Sequence, residues 1–368
     1  MIFSKKRRAR IPAAVHGFGV LLAVLLLAGS LPTAAVAEQI KQETAQTAAL
    51  VQTPETAQTP ETAEKDPAQP EAPEFTGDHL EGYSLTLAED ITLHFYVALP
   101  EDTPQDACMQ FTLPDGTTTQ VTLAQAETAQ ANGKSCVSFP CRIAPQQMTD
   151  TIRARMVVNG QKGREYTYTV KQYAEYLTQH DYTPQAQALA NALLVYGAKA
   201  QLYFDYNTDA LATLQEPASI ANWGNFQFES TGSQTEDYYG SNLEVQPQTR
   251  LRHYFLVPDG TACTFTFAWD DTAPQTELQP VDTNTRFDGK EVYYVTTPAI
   301  PPTRLHTMPV VAMYQNGSAV CTLHYGVFSY GDMVRAICAV DESQLPLLNL
   351  LRAMDDYAAA VQNYRWAG

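Results

Sequence analysis

The 368-residue chain states much of itself twice, and whatever fold serves one half must serve the other. Displaced by 157 residues, Ile143 falls on Ile300, Met148 on Leu305, Met156 on Met313, Asn159-Gly160 on Asn316-Gly317, Tyr168 on Tyr325, Val170 on Val327 and Tyr173 on Tyr330, without a gap. Upstream, an offset of 158 sets GYSLTL (82–87) on GSNLEV (240–245), and Leu93 and Tyr96 on Leu251 and Tyr254. Downstream, an offset of 161 pairs Leu189, Leu193, Tyr196 and Tyr203 with Leu350, Met354, Tyr357 and Tyr364. Three nearly equal offsets, in order, are what small loop insertions leave behind in a duplicated sequence.

Within the first half, YSLTL (83–87), ITLHFYVAL (91–99), CMQFTL (108–113), TTQVTL (118–123), SCVSFPCRI (135–143), TIRARMVV (151–158) and REYTYTV (164–170) alternate apolar and polar residues. That period of two marks half-buried strands. Asn159-Gly160 and Asn316-Gly317 are tight-hairpin pairs, because both positions tolerate positive φ. The period then changes to helical at Tyr173, Tyr176/Leu177 and His180, and at Tyr330, Met333/Val334 and Ile337. A longer helix follows, with Thr183 as its cap and Pro184 at its first position. Its stripe is Leu189, Leu193, Tyr196, Ala200 and Tyr203; the sister stripe is Leu350, Met354, Tyr357, Val361 and Tyr364. The expectation is an α+β chain: two tandem copies of an antiparallel β-sandwich-like module of about seven strands, each closed by a C-terminal two-helix hairpin. The modules would span 79–209 and 238–368, joined by a connecting segment at 210–237.

The residues before them follow other rules. Lys5, Lys6, Arg7, Arg8 and Arg10 precede the apolar run GFGVLLAVLLLAGSL (17–31), and small residues stand at Ala35 and Ala37. This is the layout of a secretory signal over 1–37, cleaved near Ala37. An uncleaved membrane anchor is the rival, and the only route by which the chain would hold a membrane. Residues 38–78 repeat QTPETA and carry few large apolar side chains, so they are expected to remain a disordered, extended spacer. Cleavage removes five basic residues and no acid, taking the formal net charge from −17 to −22. A chain so acidic has no use for nucleic acid, whose phosphates demand a basic face.

Candidate chemistry is sparse. The 20 tyrosines sit at strand and helix spacing, which favours packing with the hydroxyl at a rim over acid–base work. His180 has Ile337 as its counterpart and reads as a core-edge residue, not a ligand; no HxH or HExxH occurs. The cysteines Cys108, Cys136, Cys141, Cys263, Cys321 and Cys338 form no CxxC and do not align between halves. Export permits disulfides, and Cys108 with Cys136 or Cys141, and Cys321 with Cys338, are the candidate bridges against buried thiols. DTNTRFDGKE (282–291) has calcium-loop flavour without EF-hand spacing, and reads as a polar loop. No cofactor motif is visible. Trp223, Trp269 and EDYYG (236–240), with Tyr238 and Tyr239, could offer rings to a sugar, although a strand tryptophan is more often core. Positions shared by both halves are Leu, Ile, Met, Val, Tyr and the Asn-Gly turn, with no catalytic acid, His, Ser or Cys among them.

The succession GYSLTLAEDITLHFYV, MTDTIRARM, NG, YTYTVKQYAEYL and ALANALLVYGAKAQLYFDYNT resembles an uncharacterised module of secreted multidomain proteins from Gram-positive anaerobic gut bacteria. The likeness covers roughly 82–209 well and 240–366 more loosely, where YAAAVQ replaces YGAKAQ. It implies an extracellular location and assigns no catalytic residue. The expected function is non-catalytic binding or adhesion, to an extracellular glycan or protein, by a secreted or cell-surface chain. The alternatives are a carbohydrate-active enzyme whose acids are scattered in sequence, and a purely structural extracellular spacer.

Overall fold

The structure, a computed structural model, describes residues 75–86, 90–216, 226–245 and 248–366, all within one compact unit. The signal at 1–37, the spacer as far as residue 74, and Trp223 lie outside the described residues. Among those described, no helix is long and apolar enough to cross a membrane.

Among the described residues, four antiparallel sheets and four α-helices make an α+β fold. The first half contributes β1 (His79–Thr86), β2 (Thr92–Ala98), β3 (Cys108–Thr112), β4 (Thr118–Thr122), β5 (Glu127–Ala131), β6 (Lys134–Arg142), β7 (Ile152–Val158) and β8 (Gln161–Tyr168). Two helices follow, α1 (Val170–Gln179) and α2 (Pro184–Phe204). The second half contributes β9 (Glu229–Thr231), β10 (Tyr238–Glu244), β11 (Arg250–Val257), β12 (Cys263–Ala268), β13 (Thr276–Leu278), β14 (Val281–Phe287), β15 (Lys290–Thr296), β16 (Val310–Gln315) and β17 (Ser318–His324). It ends in α3 (Val327–Cys338) and α4 (Leu345–Trp366).

The first half forms sheets of order β1-β2-β6-β5 and β4-β3-β7-β8. The second forms β10-β11-β15-β14 and β13-β12-β16-β17-β9. Adding nine to each strand number turns the first pair into the second, apart from the extra edge strand β9. Alternation explains how each sheet buries one face. Along β2, Leu93, Phe95 and Val97 are fully buried while His94 and Tyr96 are half-exposed. Rings from the two sheets of a half meet: Phe95 and Phe111 at 5.4 Å between centroids, and Phe255 and Phe265 at 5.1 Å.

Eight strands stand in the first half where seven were expected. The additional one, β5 (ETAQA), has too little apolar alternation to announce itself; it is recruited by a hairpin at Asn132 (φ 51°) and Gly133 (φ 74°) that pairs it with β6. The presumed polar loop at 282–291 is likewise a correction. It is β14, an Asp288-Gly289 turn (φ 50° and 77°), and the start of β15. Asp-Gly is a hairpin signal of the same kind as Asn-Gly. His180 is corrected too: it sits exposed at the end of α1, its ring on Tyr176, because α1 stops there and carries no further face into the core.

α1 packs on α2, α3 on α4, and α2 along α4, so the long helices also join the two halves. Residues equivalent in the repeat meet across this seam. Tyr196 stacks on Tyr357 (5.5 Å, 22°), and Gln248 donates to Asp90 at 2.8 Å. Under the offsets of 161 and 158 each is its partner's counterpart.

Candidate functional site

The sequence candidates within the described residues have definite places. Trp269 follows β12 and packs against the core, its ring edge-on to Phe267 (5.0 Å) and one face covered by the Arg304 guanidinium at 4.6 Å. Its counterpart by sheet register is Leu113, so the indole extends the apolar packing at a sheet end. In the 236–240 stretch, Asp237 closes a short 3-10 turn with its side chain 1% exposed and ion-paired to Lys290. Tyr238 turns inward among Phe228, His253, Phe255 and Tyr325, and its hydroxyl shares a 2.7 Å hydrogen bond with Ser241. Burial pushes its phenol well above the ordinary range. Tyr239, next along the chain, lies against Phe287 at 4.9 Å instead. A register irregularity between Tyr238 and Gly240 separates the two rings.

Behind Tyr238 lies a buried polar network. Ser241 Oγ is 2.6 Å from His253 Nδ1, and the His253 ring meets Tyr325 edge-on at 5.3 Å. In the first half the matching places hold Tyr83, Phe95 and Tyr168, with Tyr83 stacked on Tyr168 at 4.0 Å. A serine–histidine pair invites an acid–base reading. However, His253 is fully buried and desolvation drives its imidazole down to about 3, so it is a neutral packing group.

All six cysteines are free thiols. Cys141 faces the interior opposite Leu93, whereas Cys108 alternates with the inward Met109 and Phe111 and so points to the other side of its sheet. Burial raises Cys141 to about 12 and Cys321 to about 11, which keeps both protonated and unreactive. Cys136 lies on β6 with its thiol 3.5 Å from the Ala129 carbonyl, and Cys338 ends α3.

The outward face of β10-β11-β15-β14 is a place where half-buried rings and polar groups converge. Tyr254 and Tyr294 lie opposite each other in register, 5.7 Å between centroids. The Arg252 guanidinium sits 4.3 Å from the Tyr294 centroid and is ion-paired to Glu244, and Asn242 donates to Tyr254 Oη at 3.2 Å. Beside them Phe287 and Val281 are each 43% exposed. The first half has the same layout with smaller parts. Tyr96 shares a 2.7 Å hydrogen bond with Ser84, and His94 lies 2.9 Å from both Thr86 Oγ1 and Ser138 Oγ. Sequence reasoning saw Tyr96 and Tyr254 only as a matching pair and missed Tyr294, Arg252 and Asn242. Part of the signal was available: Arg252 and Tyr254 alternate with the buried Leu251, His253 and Phe255 of β11. No family model matches the chain, and no curated protein matches its sequence.

Proposed function

We propose that this is a secreted or cell-surface binding protein without catalytic activity, built from two copies of one β-sandwich module. Each copy is closed by a short and a long helix, and recognition is concentrated on the second. The one-to-one strand order, the facing rings and the contact between equivalent residues at the seam support the duplicated sandwich. The export-type N-terminus, the proline-rich spacer and the resemblance to modules of secreted proteins from Gram-positive gut anaerobes support the location.

The observation that carries the binding reading is the outward aromatic face at Tyr254 and Tyr294, with its fixed polar neighbours. Catalysis is disfavoured because two of the perturbed groups are enclosed in packing, and Asp356, in the cleft between the long helices, has no His, Lys or Arg among the residues lining that cleft. His253 is sealed in the core; Asp150, raised to about 6 chiefly by burial, accepts a 2.6 Å hydrogen bond from Tyr206. The test is export of the full chain in a Gram-positive host, with the purified product then screened on glycan and extracellular-protein arrays and assayed for polymer turnover. Retention in the cytosol, or turnover of any polymer, would defeat the reading.

A further inference from the structure

Three uncharged positions of the first half carry ionisable residues in the second. Thr149 corresponds to His306 under the offset of 157, and Leu194 and Val195 to Asp355 and Asp356 under the offset of 161. Two of these satisfy each other, since His306 Nε2 lies 2.5 Å from Asp355 Oδ1. Asp356 is left over. It lines a cleft walled by Ala188, Ala192 and Val195 of α2 and by Ala359 and Ala360 of α4. Its Oδ2 is hidden from water and accepts no hydrogen bond. An orphaned acceptor costs stability, and the alanines around it offer no donor in return. A carboxylate held at such a cost in a cleft has the mark of a binding group.

The charges around it select the ligand. Among the described residues lining the cleft the only other charge is Glu216, and Lys199 holds it at 3.0 Å. Arg352, one turn before Asp356 on α4, acts instead on the Cys338 thiol at the end of α3. The adjacent Asp355 adds repulsion and no donor. Beyond Glu216 the chain has no Lys, Arg or His before Arg250. Asp356 is therefore a surplus negative charge, which repels anions and attracts a cation. The orphaned oxygen also needs an N–H, which a quaternary ammonium lacks. A planar guanidinium is matched to two open oxygens side by side, whereas a primary ammonium is a compact donor on an aliphatic stem. Rotation about the terminal bond of the aspartate is soft, so either oxygen can meet it. The cleft volume of about 660 Å³ is that of a small-molecule site, and the alanines supply apolar walls for a short hydrocarbon chain.

We propose that the cleft between α2 and α4 binds a small, free aliphatic amine in its ammonium form, with the nitrogen on Asp356 and the hydrocarbon chain along the alanines. The site is separate from the aromatic face of β10-β11-β15-β14, and the binding function proposed above stands or falls without it.

The experiment is calorimetric titration of the full chain with 1-aminobutane and 1,4-diaminobutane at pH 7.5 and pH 5. 1-Butanol serves as the uncharged match, and an Nα-acetyl-lysine amide as the stand-in for a protein's lysine side chain. Alkylamines stay protonated at both pH values. Asp356, its carboxyl raised to about 6 by burial and by Asp355, is ionised at pH 7.5 and mostly protonated at pH 5. Affinity for the amines should therefore be about tenfold lower at pH 5, following the ionised fraction. Asp356→Asn should abolish binding. Ala192→Leu, which keeps the carboxylate and fills the wall beside it, should weaken binding at pH 7.5. Asp181→Asn, at an exposed acid outside the cleft, should leave binding unchanged; circular dichroism checks that each variant is folded. No binding of either amine, equal affinity at the two pH values, or equal loss in Asp356→Asn and Asp181→Asn would overturn the site. Binding of 1-butanol as tight as that of 1-aminobutane would overturn the ammonium. Binding of the lysine amide alone would overturn a free amine as the occupant.

Discussion

Asp356 on α4 occupies the position that Val195 holds on α2 under the 161-residue offset, and both line the cleft between those helices. Replacing a buried valine by a carboxylate has a cost the structure makes visible. Asp356 Oδ2 is hidden from water and has no hydrogen-bond donor. Burial first, and the neighbouring Asp355 charge second, raise the carboxyl from 3.8 to about 6. Asp355 itself is held by His306 at 2.5 Å, and across the cleft Glu216 is paired with Lys199 at 3.0 Å, so no cation faces Asp356 from these groups. Sealed from water, a rise of that size would correspond to about 3 kcal/mol; the side chain is partly exposed, and screening reduces this to about 1 kcal/mol. The sign follows from proton binding. A folded state that holds the proton more tightly than the unfolded chain loses stability as pH rises from about 4 through about 6. Asp356→Asn should therefore raise stability at pH 7.5 by about 1 kcal/mol, or a Tm increase of about 2–4 °C, with the gain shrinking to nothing near pH 4. Thermal unfolding followed by circular dichroism at the two pH values measures it. A gain equal at both, or a loss at pH 7.5, would refute the reasoning.

Four further outcomes are expected. A methyl group on Gly326 would lie 2.4 Å from the Thr307 carbonyl oxygen, so Gly326→Ala should cost at least 2 kcal/mol, on the order of a small-to-large core change, read as a fall in the urea midpoint. Tyr357→Ala removes a ring that is 1% exposed and stacked on its counterpart Tyr196; a loss of about 3–5 kcal/mol is expected, and a midpoint within 1 kcal/mol of the parent would count against the seam. Lys290→Ala strands the buried Asp237 carboxylate and should cost about 3–5 kcal/mol, whereas Lys290→Ala combined with Asp237→Ala should recover part of that in the same measurement. Finally, Cys141 and Cys321 should resist iodoacetamide in the native protein at pH 8 and react in urea, as mass spectrometry of the tryptic peptides would reveal; native labelling of Cys141 would contradict its burial.

Much of this architecture was legible from local pattern. Alternation placed seven strands of the first half, Asn159-Gly160 and Asn316-Gly317 marked real hairpins with φ near 50° and 77°, and Thr183-Pro184 marked the start of α2. A strand held by its neighbour's hydrogen bonds more than by its own apolar residues is another matter. β5 and β14 escaped for that reason, since ETAQA and VDTNTRF have largely exposed side chains and become strands through the turns that follow them. The glycine that distinguishes YGAKAQ from YAAAVQ was also opaque until packing explained it. A Cβ at Gly197 would come within 2.4 Å of Met148 Sδ, and the second half, with Leu305 in place of Met148, carries Ala358.

The candidate site divides along the same line. The sequence alone carried the recurring pattern at offsets of 157, 158 and 161, the positions that recur, and the strand residues that alternate, because those are properties of order along the chain. It could not say that Tyr238 turns into the core while Tyr239 lies against Phe287, since that depends on a register irregularity between strands. Nor could it bring Tyr294 opposite Tyr254, forty residues apart, or set Tyr196 on its own counterpart. Which face of a strand is covered, and by what, is decided by segments distant in sequence, and only the tertiary structure brings them together.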